Sequence, residues 1–298
     1  MTDTSPRIGF VGLGFMGHGI ASNLLKAGYP LTVIAHRNRA KVEDLVARGA
    51  TEVTTLAALA EASDIVHICA PGSPQVEAIV GELLEGLASG SVIVDCSTSD
   101  PVSTAKLAGL AGARGVALVD APLAGTPQQA ATGELGAMVG AEDAVFARVE
   151  PVLAAWAKSV VHIGAVGDGH RMKLLNNFLA MGYGALFAEA LTLGQKVGIS
   201  PQTFDSVIRG GRMDSGFYQT FMGCVIEGNR ESHKFTLTNA FKDMRYLESM
   251  ADSVGLNNPV GNAVKNTYAL AVANGGDGPE DYVPHLVEFV GKLNGVSS

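Results

Sequence analysis

The sequence predicts an α/β fold: a doubly wound parallel sheet over residues 1–164, then an all-helical domain over residues 165–298, joined to it by one long helix. Three observations predict it. Short runs rich in Val and Ile alternate with helix-like stretches as far as Gly164, the pattern of a parallel sheet covered on both faces. Beyond Gly164 the strand signals stop and long helical patterns take over. A length of 298 residues allows two domains, each with a core of its own.

The first strand is read at Arg7-Ile8-Gly9-Phe10-Val11. This apolar run ends in Gly12-Leu13-Gly14-Phe15-Met16-Gly17 and opens at once into a proline-free helical pattern. Further strands are expected at Leu31 to Ala35, Ile65 to Ala70, Val92 to Cys96 and Val116 to Ala121, with helices at Ala40 to Arg48, Leu56 to Glu61, Gln75 to Gly86 and Val102 to Ala113. Ligands of such a sheet sit beyond the carboxyl ends of its strands. Those ends carry Ala70-Pro71-Gly72-Ser73, Cys96-Ser97-Thr98-Ser99 and Asp120-Ala121-Pro122-Leu123-Ala124-Gly125-Thr126.

In the second half, His170 to Val197 reads as one long helix, followed by helices near Pro201 to Arg209, Phe217 to Ile226, Asn239 to Val254, Pro259 to Ala273 and Asp281 to Leu293. From Phe178 to Ala188 the long helix is apolar nearly all round, which predicts burial between domains or subunits. That run is too short for a bilayer span, which needs about 20 apolar residues. Gly182 and Gly184 weaken the helix unless they permit close packing.

Composition narrows the function. A formal net charge of -8 argues against nucleic-acid and anionic-membrane partners, which favour a basic face. Cys69, Cys96 and Cys224 are odd in number and lack metal-type spacing, so they read as reduced residues of a cytoplasmic protein. The 7 histidines form no ligand pair on one helix face, and no metal site is expected. Met1-Thr2-Asp3-Thr4-Ser5-Pro6 has no basic leader segment ahead of the first strand.

The glycine turn has the order of a Rossmann dinucleotide site, strand then turn then helix. Gly12 permits the tight bend, Gly14 lets the backbone approach phosphates, and Gly17 lets the helix pack close to the strand. The helix N-terminus adds N–H donors and partial positive charge. A plain structural turn is the alternative. NAD-selective sites place an acid at the end of the second strand to hold the ribose hydroxyls. Here that strand ends Val33-Ile34-Ala35-His36-Arg37-Asn38-Arg39, without an acid. His36 and Arg37 are therefore read as cofactor residues. Arg37, with Arg39 as the second choice, would pair with a 2′-phosphate, so NADP(H) is expected over NAD(H).

The long helix opens with Gly167-Asp168-Gly169-His170-Arg171-Met172-Lys173-Leu174-Leu175-Asn176-Asn177. Lys173 and Asn177 are four residues apart and project from one face. A lysine in a dry cleft can have its pKa lowered toward neutrality, which suits proton exchange with a hydroxyl or carbonyl oxygen. Asn177 would orient the same substrate. A solvated lysine beside a helix-capping glycine is the alternative reading. The neighbours Leu174, Leu175, Phe178 and Leu179 argue that this helix is not freely exposed.

Taken together, Gly12 to Gly17, Asp95-Cys96-Ser97-Thr98, Asp120-Ala121-Pro122-Leu123, Gly169 to Asn177 and Phe241-Lys242-Asp243-Met244 make a chain that resembles the β-hydroxyacid dehydrogenase family over essentially its whole length. That family includes 3-hydroxyisobutyrate dehydrogenase, tartronate semialdehyde reductase and sulfolactaldehyde reductase. The resemblance implies that Lys173 is the general acid/base and Asn177 a substrate ligand, and that Phe15, Met16, Ala70, Pro71, Thr98 and Lys242 contact the cofactor. It implies reversible hydride transfer between a nicotinamide and a small β-hydroxyacid or its semialdehyde.

The sequence departs from the family at the substrate loop. The usual Asp-Ala-Pro-Val-Ser-Gly-Gly is replaced after Leu123 by Ala124-Gly125-Thr126-Pro127, so the serine hydroxyl is missing. Ala124, Gly125 and Thr126 remain the expected substrate residues, and Arg212 in Gly210-Gly211-Arg212-Met213 is a candidate for the missing anion contact or a plain surface arginine. Two other functions compete. A non-catalytic dinucleotide-binding protein leaves Lys173 and Asn177 unexplained, and an imine reductase-like NADPH enzyme generally lacks that lysine. The apolar long helix, with Phe217, Tyr218, Phe221, Met222 and Phe235, predicts a homodimer or homotetramer.

Overall fold

A computed structural model describes residues 5–36 and 39–296. The chain divides into two compact units, the first ending at Lys173 and the second beginning at Leu174.

The first unit opens with β1 (Ile8–Val11), α1 (Gly17–Lys26), β2 (Leu31–Ile34), α2 (Arg39–Ala47), β3 (Thr51–Val53), α3 (Leu56–Glu61), β4 (Ile65–Ile68), α4 (Ser73–Gly86), β5 (Val92–Asp95), α5 (Pro101–Gly112) and β6 (Ala117–Asp120), in the expected alternation except for the three-residue β3, which the sequence pattern does not announce. These six strands pair in parallel in the order β3-β2-β1-β4-β5-β6. That is the doubly wound order, with its crossover between β1 and β4. β1, β4 and β5 are buried along their whole length, which explains why their sequences are near-continuous apolar runs, broken by His67 in β4 and Asp95 at the end of β5.

Ile20, Leu24, Val42 and Leu45 join the core with Val149 and Trp156, and a second core gathers Leu59, Val76, Val80, Leu83 and Leu107. Truncating a fully buried member such as Leu83 to alanine costs about 2–5 kcal/mol.

The stretch after β6 carries elements that the sequence pattern does not announce: β7 (Leu123–Ala124), α6 (Pro127–Thr132), β8 (Leu135–Gly140), α7 (Asp143–Leu153) and β9 (Ala157–Gly164). β8 runs antiparallel to β6 and β7 and parallel to β9, extending the sheet to nine strands. Gly19 on α1 lies against Ala130 on α6, where a Cβ would stand 2.6 Å from the Ala130 carbonyl carbon. Asn23, one turn further, donates to the Ala130 carbonyl at 2.9 Å.

α8 (Asp168–Lys196) starts in the first unit and continues into the second. It is followed by α9 (Pro201–Ile208), α10 (Gly216–Glu227), α11 (Leu237–Ser253), α12 (Pro259–Ala273), a 3-10 turn at Val283–His285 and α13 (Leu286–Leu293). Leu174, Met181, Ala188 and Leu191 on α8 pack with Tyr218, Phe221, Met244 and Tyr268. Gly184 is required there, since a Cβ would stand 2.6 Å from the Tyr268 hydroxyl, which donates to the Met181 carbonyl at 3.1 Å.

Within the single chain the long helix is not buried all round. Leu179 (61 %), Leu186 (64 %) and Leu193 (63 %) are exposed opposite the buried stripe. Apolar residues on every face of a helix do not distinguish the face that packs within the chain from the face left open. Among the described residues no helix is long and apolar enough to cross a membrane.

Candidate active site

The glycine turn after β1 forms a cradle. Gly12 has a φ of 100°, and a Cβ there would stand 2.2 Å from the Cys69 carbonyl oxygen. A Cβ on Gly17 would stand 2.0 Å from the Gly12 oxygen, whereas one on Gly14 would meet nothing within 4 Å among the described residues. Gly12 and Gly17 therefore shape the turn, and Gly14 keeps its outer side open. α1 begins with no side-chain cap from Met16 and no acid in its first turn. Its first N–H groups thus face an anion site without a competing carboxylate. These features fit a dinucleotide pyrophosphate.

Lys41 on α2, which the sequence reading passed over, reaches this turn. Its Nζ donates to the Gly14 carbonyl at 2.6 Å and lies 5.2 Å from the ring centroid of Phe15, itself 83 % exposed. Partial burial holds the Lys41 ammonium below the ordinary lysine pKa. The signal that could have found it is position: Lys41 follows β2 by less than two helical turns, at the strand end where the 2′-phosphate was sought. Arg37 lies outside the described residues. His36 is exposed at the end of β2, and Arg39 is committed to Glu52 through two bonds of 2.6 and 3.0 Å.

The loops beyond β4 and β5 are tied together. Ala70 donates its N–H to Ser97 Oγ at 2.9 Å. Asp95, buried at the end of β5, accepts from the Ser97 N–H at 2.9 Å and from Ser99 Oγ at 2.8 Å. Pro71 is exposed beside Ala70, and Thr98 is half-buried between the two bonded serines. Burial pushes the Cys69 thiol up to about 12 and the Cys96 thiol well above its ordinary value. Both therefore stay protonated, as packing residues do.

Gly125 has a φ of 131°, and a Cβ there would meet Leu135 Cδ2 at 2.8 Å. A larger residue at this position would be strained. Thr126 caps α6: its N–H donates to Gln129 Oε1 at 3.0 Å and its Oγ1 accepts from the Gln129 N–H at 3.3 Å. This reciprocal bonding spends two of the donors and acceptors that the sequence reading offered to a substrate. Ala124 is half-buried on β7, opposite Gly136 of β8.

On α8, Lys173 is half-buried, Asn176 exposed and Asn177 buried at 5 % exposure. Asn177 Nδ2 donates to Asp243 Oδ2 at 2.7 Å. Asp243 on α11 is fully buried, with its Oδ1 2.9 Å from Lys242 Nζ, and Lys242 also lies 4.9 Å from the Tyr246 ring centroid. The sequence reading used Asp243 only as part of a motif; the structure places its carboxylate on the Asn177 amide. Arg212 is exposed in the turn between α9 and α10 and makes no ion pair among the described residues. Asn177, Asp243 and Lys242 are thus brought together by α8 and α11, and Lys173 precedes Asn177 by one turn on α8.

Comparison with known proteins gives this arrangement its context. Residues 7–164 match the family described as the NAD binding domain of 6-phosphogluconate dehydrogenase, and residues 167–285 match the NAD-binding family of NADP-dependent 3-hydroxyisobutyrate dehydrogenase. The 2-hydroxy-3-oxopropionate reductase of Escherichia coli is 32 % identical over 273 residues, covering 91 % of this chain and 92 % of its own. The chain belongs to the β-hydroxyacid dehydrogenase family. As in that family, it is an NAD(P)-dependent oxidoreductase acting on a hydroxyacid. The 2-(hydroxymethyl)glutarate dehydrogenase of Eubacterium barkeri is 41 % identical over 210 residues, 69 % of each chain. The structure of Mycobacterium tuberculosis 3-hydroxyisobutyrate dehydrogenase with L-serine superposes with a TM-score of 0.84 at 25 % identity, covering 94 % of this chain and 98 % of that one.

Proposed function

We propose that the chain interconverts a short β-hydroxyacid and its semialdehyde, with residues 1–164 binding NADP(H) and residues 165–298 supplying substrate contacts and the subunit interface. One observation carries the reading: Lys173 and Asn177 lie one turn apart on α8, and Asp243 holds the Asn177 amide in one orientation.

A bound nicotinamide supplies the hydride acceptor or donor, and the protein manages the proton and the position. Lys173 takes the hydroxyl proton in the oxidative direction and returns it to the carbonyl oxygen in the reductive one. Asn177 hydrogen-bonds the substrate and orients it, with Gly125 offering a backbone donor and Arg212 an anion contact. Gly12, Gly14, Phe15, Met16 and Gly17 hold the pyrophosphate, and Ala70, Pro71, Thr98 and Lys242 complete the cofactor contacts.

NADP(H) is favoured because β2 ends without an acid, Arg37 follows it, and Lys41 brings a cation to the glycine turn. Unpaired Cys69, Cys96 and Cys224 support a cytoplasmic setting. The exposed leucines of α8 support a homodimer or homotetramer.

Alanine at position 124, where the family carries serine, removes a polar contact and leaves room. The substrate is therefore read as a β-hydroxyacid with a substituent larger than the methyl group of 3-hydroxyisobutyrate. The E. barkeri relative, named for 2-(hydroxymethyl)glutarate, supports that direction, since its substrate carries a carboxyethyl branch. Steady-state kinetics on a panel of hydroxyacids and semialdehydes of graded branch size tests it. A higher kcat/KM for a branched acid than for 3-hydroxyisobutyrate is expected; 3-hydroxyisobutyrate as the best substrate would refute the reading of Ala124.

A further inference from the structure

Asp120 ends β6 with a carboxylate that is completely buried. Its Oδ1 accepts from the Gly167 N–H at 2.6 Å and its Oδ2 from the His170 N–H at 2.7 Å. Gly167 immediately precedes α8 and His170 lies in its first turn, so a strand caps a helix some 47 to 50 residues further along the chain. The approach is close enough to require glycine twice. A Cβ on Gly169 would stand 2.8 Å from Asp120 Oδ2 and 2.3 Å from the Met138 carbonyl oxygen, and one on Gly140 would stand 2.5 Å from Asp120 Oδ1.

The His170 side chain, also fully buried, reaches elsewhere. Its Nε2 lies 3.1 Å from the Ser97 carbonyl oxygen, which can only accept, so Nε2 carries the hydrogen. Its Nδ1 lies 2.8 Å from Thr104 Oγ1 on α5. The carboxylates of Asp95 and Asp120 flank the ring at 3.7 and 3.9 Å. Both ring nitrogens are thus spent on the two chain segments that follow β5. One residue links the Ser97-Thr98 loop to the helix that, one turn later, carries Lys173.

We propose that His170 is a positioning residue: its side-chain bonds to the Ser97 carbonyl and the Thr104 hydroxyl, together with its backbone bond to Asp120, fix the rotation of α8 and hence where Lys173 stands relative to the Thr98 loop. Apolar packing alone would fill the same space without the directional bonds to Ser97 and Thr104. A lysine amine sits at the end of a long side chain, so a small rotation moves it far, and a displacement of about 1 Å in a reacting group can cost about 10²-fold in rate. The proposal rests on Lys173 as the acid/base.

The test compares His170→Phe, His170→Asn and His170→Gln, with Lys173→Ala measured in parallel. Glutamine can place a donor where Nε2 stands; asparagine reaches only as far as Nδ1, and phenylalanine keeps the volume without a donor. The Phe and Asn variants are expected to lose kcat by about 10- to 100-fold, with KM for substrate and cofactor within about twofold, and Gln to recover to within about fivefold of the parent. Thr104→Val, which removes only the hydroxyl at Nδ1 and keeps the side-chain shape, is expected to lower kcat by a few-fold and keeps the test open where a His170 variant does not fold. Unchanged kcat per folded molecule in the Asn or Thr104→Val variant overturns the proposal, as does failure of Gln to recover. If Lys173→Ala keeps more than about a tenth of kcat, the reading of Lys173 falls and this proposal with it.

Discussion

Asn177 Nδ2 donates to Asp243 Oδ2 at 2.7 Å, and this bond decides which way the Asn177 amide faces. An ionised carboxylate only accepts, so the nitrogen must be the atom turned toward it. Asn176 in turn donates to Asn177 Oδ1 at 3.2 Å. Asp243→Asn removes the obligate acceptor and lets the amide rotate. The expected loss is about 10- to 100-fold in kcat/KM, roughly 1.4 to 2.8 kcal/mol, the range of a charge-assisted hydrogen bond. Asn177→Ala should raise KM and lower kcat together. Parent-like kinetics in Asp243→Asn would mean that the orientation of Asn177 is set by something else.

Lys173→Ala should abolish turnover while leaving cofactor affinity nearly intact. Loss of a positioned acid/base costs about 10²- to 10⁴-fold, and loss of its charge beside a developing alkoxide adds to that. Fluorescence titration with the reduced cofactor and single-turnover rates separate the two quantities. Retention of more than about a tenth of kcat would remove Lys173 from its role.

Which parts of this were legible in the sequence follows from where side chains report on burial. Strands β1, β4 and β5 are sandwiched on both faces, so Ile8, Ile65, Val66, Val92 and Ile93 spell them out as apolar runs. α3 and α12 read residue for residue, because Thr55 and Asn258 cap them at their N-termini and Pro259 opens α12. The stretch from Pro122 to Gly164 did not read. β8 is Leu-Gly-Ala-Met-Val-Gly, with two glycines and a single β-branched residue; α7 contains Pro151 two residues before its end; α6 has only six residues. At the site, the glycine turn and the spacing of Lys173 and Asn177 were local signals. Lys41 on Gly14, Asp243 on Asn177 and Asp120 at the head of α8 are contacts across 27, 66 and about 50 residues, which no local pattern encodes.

Cofactor choice tests the end of β2. Arg39 already serves Glu52 and Glu43, so a 2′-phosphate falls to Arg37 and to the cation that Lys41 brings to the glycine turn. The parent enzyme should show a higher kcat/KM with NADPH than with NADH. Arg37→Ala and Lys41→Ala should each raise KM for NADPH by about tenfold and change KM for NADH by much less, since a charge-assisted bond to phosphate is worth about 1.5–3 kcal/mol. A clear preference of the parent for NADH would show that these cations face solvent.

His67 in β4 makes the first unit sensitive to acid. The ring is fully buried, stacked on Phe10 at 5.9 Å and edge-on to Trp156 at 6.3 Å, with neither nitrogen hydrogen-bonded among the described residues. Burial lowers its pKa to about 3 from the ordinary 6.5. The unfolded chain therefore takes up a proton that the folded chain refuses. The contribution is whole above pH 6.5 and is lost as pH falls toward 3, at about 1.4 kcal/mol per pH unit. His67→Leu keeps an apolar filling and should flatten the fall of urea-unfolding free energy between about pH 6 and 4 by up to one proton's worth. Equal slopes in the two proteins would show that His67 takes up no more protons on unfolding than leucine does.

Assembly is the last expectation, and it turns on the outer face of α8. Leu179, Leu186 and Leu193 recur every seven residues and are 61 %, 64 % and 63 % exposed, with Leu175 one turn before Leu179 and Tyr183 between Leu179 and Leu186 also exposed. Residues seven apart share a helix face, so these side chains form one continuous apolar stripe on a helix of 29 residues. Isolated exposed leucines are ordinary in soluble proteins, whereas a contiguous stripe marks a surface that another chain covers, most often through a closed two-fold contact. Light scattering should return at least twice the 30.7 kDa chain mass. Leu186→Glu combined with Leu193→Glu places two like charges on the stripe, where they would be desolvated in an interface but cost little in a free chain. The double variant should shift toward the single-chain mass while keeping a parent-like far-UV spectrum. A parent protein that is a stable monomer at micromolar concentration, or a double variant of unchanged mass, would remove α8 from the interface.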